Sequence, residues 1–196
     1  MRPLEAAYTA PVNLAAILHL DSEPALIVGG GPVALRRAVT LKTAGLRVRV
    51  IAPDLLPELL ALGFDCCQRA FEPADLAGMR IVVACTSSPV VNAEVTRLAL
   101  ALGALVNHAG EAGAGNLRFP AVLERGGVTV AISTGSELPM LAQALREKVA
   151  LSLPEALPLP AWTAQRDAAL SLGADARQAA MSDLRAEIRA AVGLGA

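Results

Sequence analysis

"PALIVGGGPVALRRAVTLKTAG", Pro24 to Gly45, decides the fold. Ala25–Val28 is a short apolar run, the pattern of a strand buried on both faces. Three glycines follow at once. A helix is predicted from about Pro32, because proline suits a first turn, where its missing N–H costs nothing. Gly45 ends that helix. Gly29-Gly30-Gly31-Pro32-Val33-Ala34 fits the G-x-G-x-x-A pattern of a dinucleotide-binding turn. Gly29 permits the tight turn, and Gly31 lets the backbone approach a pyrophosphate. Pro32 and Val33 open the helix whose N-terminus attracts the anion, and Ala34 packs helix against strand. A glycine-rich turn without a ligand is the alternative. The strand before, the helix after and a second strand about 20 residues on weigh against it.

Working outward, "LRVRVIAPD" alternates as a second strand ending at Ile51. Ala52 stands where the ribose-binding acid is usual, so Asp54, beside Pro53, acts from slightly beyond that position. Asp54 also suits the N-cap of the helix in "LLPELLAL". No arginine follows the strand to receive a 2′-phosphate, which favours NAD over NADP. "GFDCCQRAF" reads as a short third strand and "MRIVVACTSS" as a fourth. Thr86 and Ser87 then lie on the carboxyl edge, where such sheets bind ligands. Equally, Ser87 or Ser88 caps the helix opened by Pro89. That helix runs to about Leu102, and "GALVN" is a fifth strand. Strands alternating with helices make an α/β, Rossmann-like parallel sheet, assigned to residues 1–113.

After Gly115 the pattern changes. "RFPAVLERGGVTVAISTG" reads as two strands around Gly126-Gly127, and "LPMLAQALREKVALSL" as a helix. The hairpin is too small to bury its apolar face alone. A two-fold partner would cover it, so residues 114–153 form a predicted dimerisation region and the chain a homodimer. "LPEALPLP" is a proline-rich break. Residues 154–196 form a helical C-terminal domain of one or two alanine-rich helices, with a break near Gly173.

Composition narrows the function. Of 196 residues, 54% are hydrophobic and few are aromatic, which suits helices on a parallel sheet. A net charge of −1 gives no electrostatic case for nucleic acid or a membrane surface. No apolar run approaches the roughly 20 residues that span a bilayer, and "MRPLEAAYTAPVN" lacks the apolar core of a signal peptide. Cys66, Cys67 and Cys85 show neither metal spacing nor a disulfide framework, and they fit a reducing cytoplasm. His19 and His108 are too isolated to mark a metal site. His108, just past the fifth strand, is a candidate acid/base because imidazole titrates near neutrality. A structural role is its alternative.

With these residues in place, the chain resembles the precorrin-2 dehydrogenase/sirohydrochlorin ferrochelatase family, the N-terminal module of siroheme synthase. "LIVGGGPVALRRA" is similar to the family's nucleotide loop and first helix, and "LAAILHL", Leu14–Leu20, to its lead-in strand. "VIAPDL", "ACTSSPVVNAEV" and "FPAVLERGGVTVAISTGSELPMLAQALREKV" follow in the family's order. The likeness covers roughly residues 14–155. It implies a homodimer in which NAD takes a hydride from precorrin-2, giving sirohydrochlorin, with ferrous iron then inserted to give siroheme. Arg118, Arg125 and Arg146 are candidate counter-charges for the tetrapyrrole carboxylates, with ordinary surface arginine the simpler reading for Arg125.

Two departures stand out in "LVNHAGEAGAGNLRFPAV", Leu105–Val122, and in "STGSELP". The family loop reads approximately N-V-V-D, and its aspartate serves as acid/base for both reactions. This chain reads "NHAG", with Gly110 at the aspartate position. Glu111, one residue on, and His108 are the candidates to replace it. Where the family commonly has S-T-G-G-x-S-P, Ser136 replaces a glycine and Leu138 a serine. A non-catalytic member that binds NAD or tetrapyrrole as a carrier or partner subunit is the competing expectation.

Overall fold

The computed structural model describes residues 13–134 and 138–194. The chain divides into two compact units, one spanning Val12–Phe119 and the other containing Pro120–Ala196. The opening stretch before Asn13, read as lacking a signal peptide, and Ser136 lie outside the described residues.

In the first unit, β1 (Pro24–Val28), β2 (Arg47–Ile51), β3 (Asp65–Cys67), β4 (Ile81–Ala84) and β5 (Leu105–His108) form one parallel sheet in the order β3-β2-β1-β4-β5. β1 pairs with β2 from Pro24↔Arg47 to Val28↔Ile51, and with β4 from Ala25↔Ile81 to Val28↔Ala84. The first and fourth strands are apolar throughout because both faces are covered. Ala25, Ile27, Val48, Val50, Ile81 and Val83 pack on one face with α1 (Pro32–Thr43). Leu26, Val28, Val82, Ala84 and Val106 pack on the other with α3 (Pro89–Ala101). Leu26 and Ile27 are fully buried; side chains of that size contribute about 1.5–3 kcal/mol each. Gly45, at φ +86°, turns the chain out of α1, as expected of a glycine stop.

Chain order reverses between β1 and β4. Parallel sheets bind ligands outside the carboxyl ends of the strands at such a switch point, so the fold directs attention to Gly29 and Cys85.

Two sequence expectations are corrected. Leu14–Leu20 forms no strand, and Leu14 and Ile17 are exposed. A strand is defined by its ladder partner, and β3 and β5 remain the sheet's edges. Nor does Asp54 cap the next helix. α2 (Pro57–Ala61) has Leu56 at its N-cap, since Pro57 sets its first turn three residues after the acid.

In the second unit, β6 (Ala121–Arg125) and β7 (Val128–Ile132) form an antiparallel hairpin. Gly126 and Gly127 make its two-residue turn, at φ +56° and +79°. Positive φ at both central residues gives a turn that matches the twist of the strands. α4 (Pro139–Ser152) packs on this hairpin. Arg125 Nη1 donates to the carbonyls of Ala150 (2.6 Å) and Leu153 (3.1 Å), satisfying acceptors at the helix C-terminus. α5 (Leu159–Leu170) and α6 (Ala174–Ala191) follow as a helical pair, broken at Gly173 as predicted. Trp162 Nε1 donates to Glu187 Oε1 at 2.8 Å across the pair.

Candidate dinucleotide site at the carboxyl edge

The turn after β1 is shaped by its glycines. Gly29 has φ +136°, and a Cβ there would lie 2.6 Å from the Cys85 carbonyl oxygen. A Cβ on Gly30 would collide with the Asp54 carbonyl, and the Leu56 N–H donates to Gly30 O at 2.9 Å. The β1 turn and the segment after β2 are therefore pressed together. Gly31 differs, with nothing within 4 Å of where its Cβ would be. It is the N-cap of α1 and supplies no capping side chain. Pro32 carries no N–H, so the donors left at this helix start are the first-turn amides of Val33 and Ala34. Open space, uncapped amides and a helix N-terminus together fit a pyrophosphate.

A crevice of about 750 Å³ opens here, within the usual range for ligand pockets. Gly29, Gly31, Pro32, Val33, Pro53, Asp54, Thr86 and Ser87 all line it. Ala34 does not. It is fully buried, as its role in packing helix on strand requires. Sequence reasoning missed Gly30, Phe71, Cys85, Val91 and Glu94, which also line the crevice. Only Gly30 carried a readable signal, as the middle of the triplet. Another concavity, about 640 Å³, lies at the amino edge and is lined by Lys42, Arg47 and Arg49. Each of those cations already binds a neighbour, through Leu62 O, Ser22 O and Asp65 respectively. We place the ligand site at the carboxyl edge, where the open glycine and uncapped helix are.

The β4–α3 turn is held by buried Asn92. Its Oδ1 accepts from Thr86 N–H (2.9 Å) and Thr86 Oγ1 (2.8 Å), and its Nδ2 donates to Thr86 O (3.0 Å). Ser88 is the N-cap of α3, accepting from the Val91 N–H at 3.4 Å. Ser87 is thus left on the crevice wall, and capping falls to Ser88.

Neither His108 nor Glu111 lines the crevice. His108 is buried on the α3 side of β5, beside Ala84, while Asn107 faces the α1 side. His108 Nδ1 accepts the Glu111 N–H at 2.8 Å. A neutral ring in this arrangement carries its proton on Nε2 and serves as a donor. To accept a proton at Nδ1, it must release Glu111. The Glu111 side chain is exposed. The loop carrying it returns at Asn116, whose Oδ1 accepts from Val106 N–H (2.6 Å) and whose Nδ2 donates to Ala104 O (3.3 Å). Asn107 Nδ2 holds Leu117 O at 3.0 Å. Gly110 needs no left-handed backbone, and a Cβ added there would lie 3.6 Å from His108 Cε1, an ordinary contact.

Among the described residues, no cluster of side chains suits a metal ion, and no helix is long and apolar enough to cross a membrane. Cys66, Cys67 and Cys85 are free thiols.

A parallel sheet reversing at β1/β4, with an open glycine and an uncapped helix at that point, defines a Rossmann-like dinucleotide-binding protein. Consistent with this, a family model described as putative NAD(P)-binding matches residues 16–121, and the chain belongs to that family. The resemblance read from the sequence is also borne out. The chain is 39% identical over 137 residues to siroheme synthase of Ectopseudomonas mendocina (strain ymp), covering 69% of this chain and 30% of that protein. It is 41% identical over 143 residues to siroheme synthase 1 of Aeromonas salmonicida (strain A449), covering 71% and 31%. The chain thus spans about 30% of the length of these relatives. Among solved structures it is similar to "SirC, precorrin-2 dehydrogenase", with TM-score 0.70, 24% identity, and coverage of 88% of this chain and 89% of that one.

Proposed function

We propose that this chain is an NAD-dependent dehydrogenase that oxidises precorrin-2 to sirohydrochlorin. The observation that carries this reading is the open glycine turn and uncapped helix start at Gly29–Ala34, in a chain about 40% identical to siroheme synthases over some 140 residues. NAD, when bound, supplies the hydride acceptor. The chain's own residues position it: Gly31 and the first amides of α1 hold the diphosphate, Pro53 and Asp54 face the adenosine ribose, and Thr86 and Ser87 border the far side. Asp54 at the crevice, with no arginine after β2, supports NAD over NADP. The domain division proposed at residues 1–113, 114–153 and 154–196 assigns this chemistry to the first segment.

Proton removal falls to Glu111 in this reading. His108 already uses Nδ1 to accept from the loop backbone, whereas the Glu111 carboxylate is exposed on a glycine-rich loop. General bases contribute about 10²- to 10⁴-fold, and a displaced one contributes at the low end. Purified protein with precorrin-2 and NAD should form sirohydrochlorin, followed by absorbance. Glu111→Gln should slow this by about ten-fold or more, and His108→Ala should disturb the loop. Iron insertion is measured in the same samples, since it too must remove protons, from the pyrrole nitrogens. A parent that binds NAD but never forms sirohydrochlorin would favour the carrier reading.

The homodimer belongs to this proposal. The hairpin has no fully buried residue, and α4 leaves Met140 74% and Leu151 84% exposed. Apolar surface of this kind fits coverage by a second copy. Sedimentation at micromolar concentration should show a dimer, and a monomer throughout would reject it.

A further inference from the structure

Arg37 lies on α1, three residues beyond Ala34 and one before Ala38, on the flank that turns toward the sheet. Its guanidinium stacks over the Phe119 ring, 4.2 Å from the centroid. Its Nε is sealed from solvent and has no hydrogen-bond partner among the described residues. Burial, then the like charge of Arg36, holds its pKa below the ordinary guanidinium value. Among the described residues, no carboxylate acts on it. The one opposing group acting on it among the described residues is the Cys85 thiol, which burial pushes up to about 11 and which is therefore neutral near pH 7. Arg37 is half-buried, and desolvating even part of a guanidinium without an anion goes uncompensated. This one stands beside Cys85, which lines the dinucleotide crevice. On the same face of the sheet, Asn107 Oδ1 is also buried without a partner among the described residues. It is an acceptor, suited to a water or hydroxyl accompanying a bound group.

We infer that Arg37 is an anion-binding residue that receives a carboxylate side chain of the substrate at the carboxyl edge of β4 and β5. This rests on the proposed function for the identity of the substrate, a tetrapyrrole carrying several carboxylates, but the anion site stands or falls separately. The planar guanidinium can meet a carboxylate with two parallel N–H donors while its face rests on Phe119. Arg37 selects for an acid arm and orients it; it is not the base.

Two measurements on the full chain test this. In the first, propionate, the acid arm taken alone, is titrated while the Arg37 Nε–H is followed by nitrogen-15 NMR; its shielding from solvent keeps that proton observable. A saturable shift is expected. A shift no larger than sodium chloride produces at matched ionic strength overturns the site. In the second, sirohydrochlorin binding is followed by absorbance in the parent, Arg37→Met and Arg37→Lys. Methionine keeps the apolar packing on Phe119 and removes the charge. Arg37→Met should weaken sirohydrochlorin binding by about ten- to hundred-fold, Arg37→Lys by less, with NAD affinity unchanged in both. Equal sirohydrochlorin affinity in parent and Arg37→Met overturns the inference. A parent that shifts with propionate but neither binds sirohydrochlorin nor oxidises precorrin-2 rejects the functional reading and upholds the anion site. If Arg37→Met fails to fold, the propionate titration of the parent decides.

Discussion

Gly30→Ala and Gly31→Val should both abolish tight NAD binding, and only the first should also damage the fold. A methyl group on Gly30 meets the Asp54 carbonyl, which is backbone and cannot rotate away. The segment from Ala52 to Asp54 must then shift, and the Leu56 N–H bond to Gly30 shifts with it. Overpacking of this kind costs about 1–3 kcal/mol, and the displaced segment carries the proposed ribose contacts. Gly31 has open space around it and an extended backbone, φ −91° and ψ −168°, that valine adopts readily. Its side chain fills the volume through which a diphosphate reaches the amides of Val33 and Ala34. Losing two charge-assisted bonds of about 1.5–3 kcal/mol each weakens NAD by about a hundred-fold or more. Thermal unfolding with calorimetric NAD titration separates the two variants. If Gly31→Val bound NAD as tightly as the parent, the cradle would be misassigned.

Gly110→Asp should raise the rate of precorrin-2 oxidation by about ten-fold or more, the gain of a well-placed general base worth about a hundred-fold at the low end over the displaced Glu111. The family resemblance puts an aspartate at this position. The structure leaves room for one, since Gly110 does not use a left-handed backbone and an added Cβ meets the His108 ring at ordinary contact distance. Stability should change little, because the backbone bonds that close the loop at Asn116 and Leu117 are untouched. In the same background Glu111→Gln should become nearly silent, as the nearer carboxylate takes over. Steady-state rates of the four combinations check this. An unchanged rate in Gly110→Asp, beside a loss in Glu111→Gln alone, would mean that Glu111 already replaces the aspartate in full.

Much of this protein is written locally in its sequence. Ala25–Val28, the triplet Gly29–Gly31, Pro32 and Gly45 specify strand, turn, helix and stop through interactions within a few residues, so the first βα unit was readable, as was the alternation that follows it. Gly126-Gly127 likewise announced the hairpin, because a two-residue turn with positive φ has few solutions. The crevice residues Pro53, Asp54, Thr86 and Ser87 were legible because a parallel sheet places every strand's carboxyl end on one edge.

Tertiary structure alone decided what depends on neighbours distant in sequence. Leu14–Leu20 has a strand's composition but no strand beside it. Asp54 has an N-cap's chemistry, yet Pro57 starts the helix later and Leu56 takes the N-cap position. Ser88 caps α3, while Thr86 is occupied by Asn92. His108 Nδ1 became an engaged acceptor only when the loop folded the Glu111 amide onto it. Arg37, one of two adjacent arginines on a helix, reads as surface charge until Phe119 and Cys85 are packed around it. Propensity and periodicity act over one or two turns of chain. Desolvation, a missing counter-charge and a carbonyl in contact with a glycine arise only when elements tens of residues apart share one edge of the sheet.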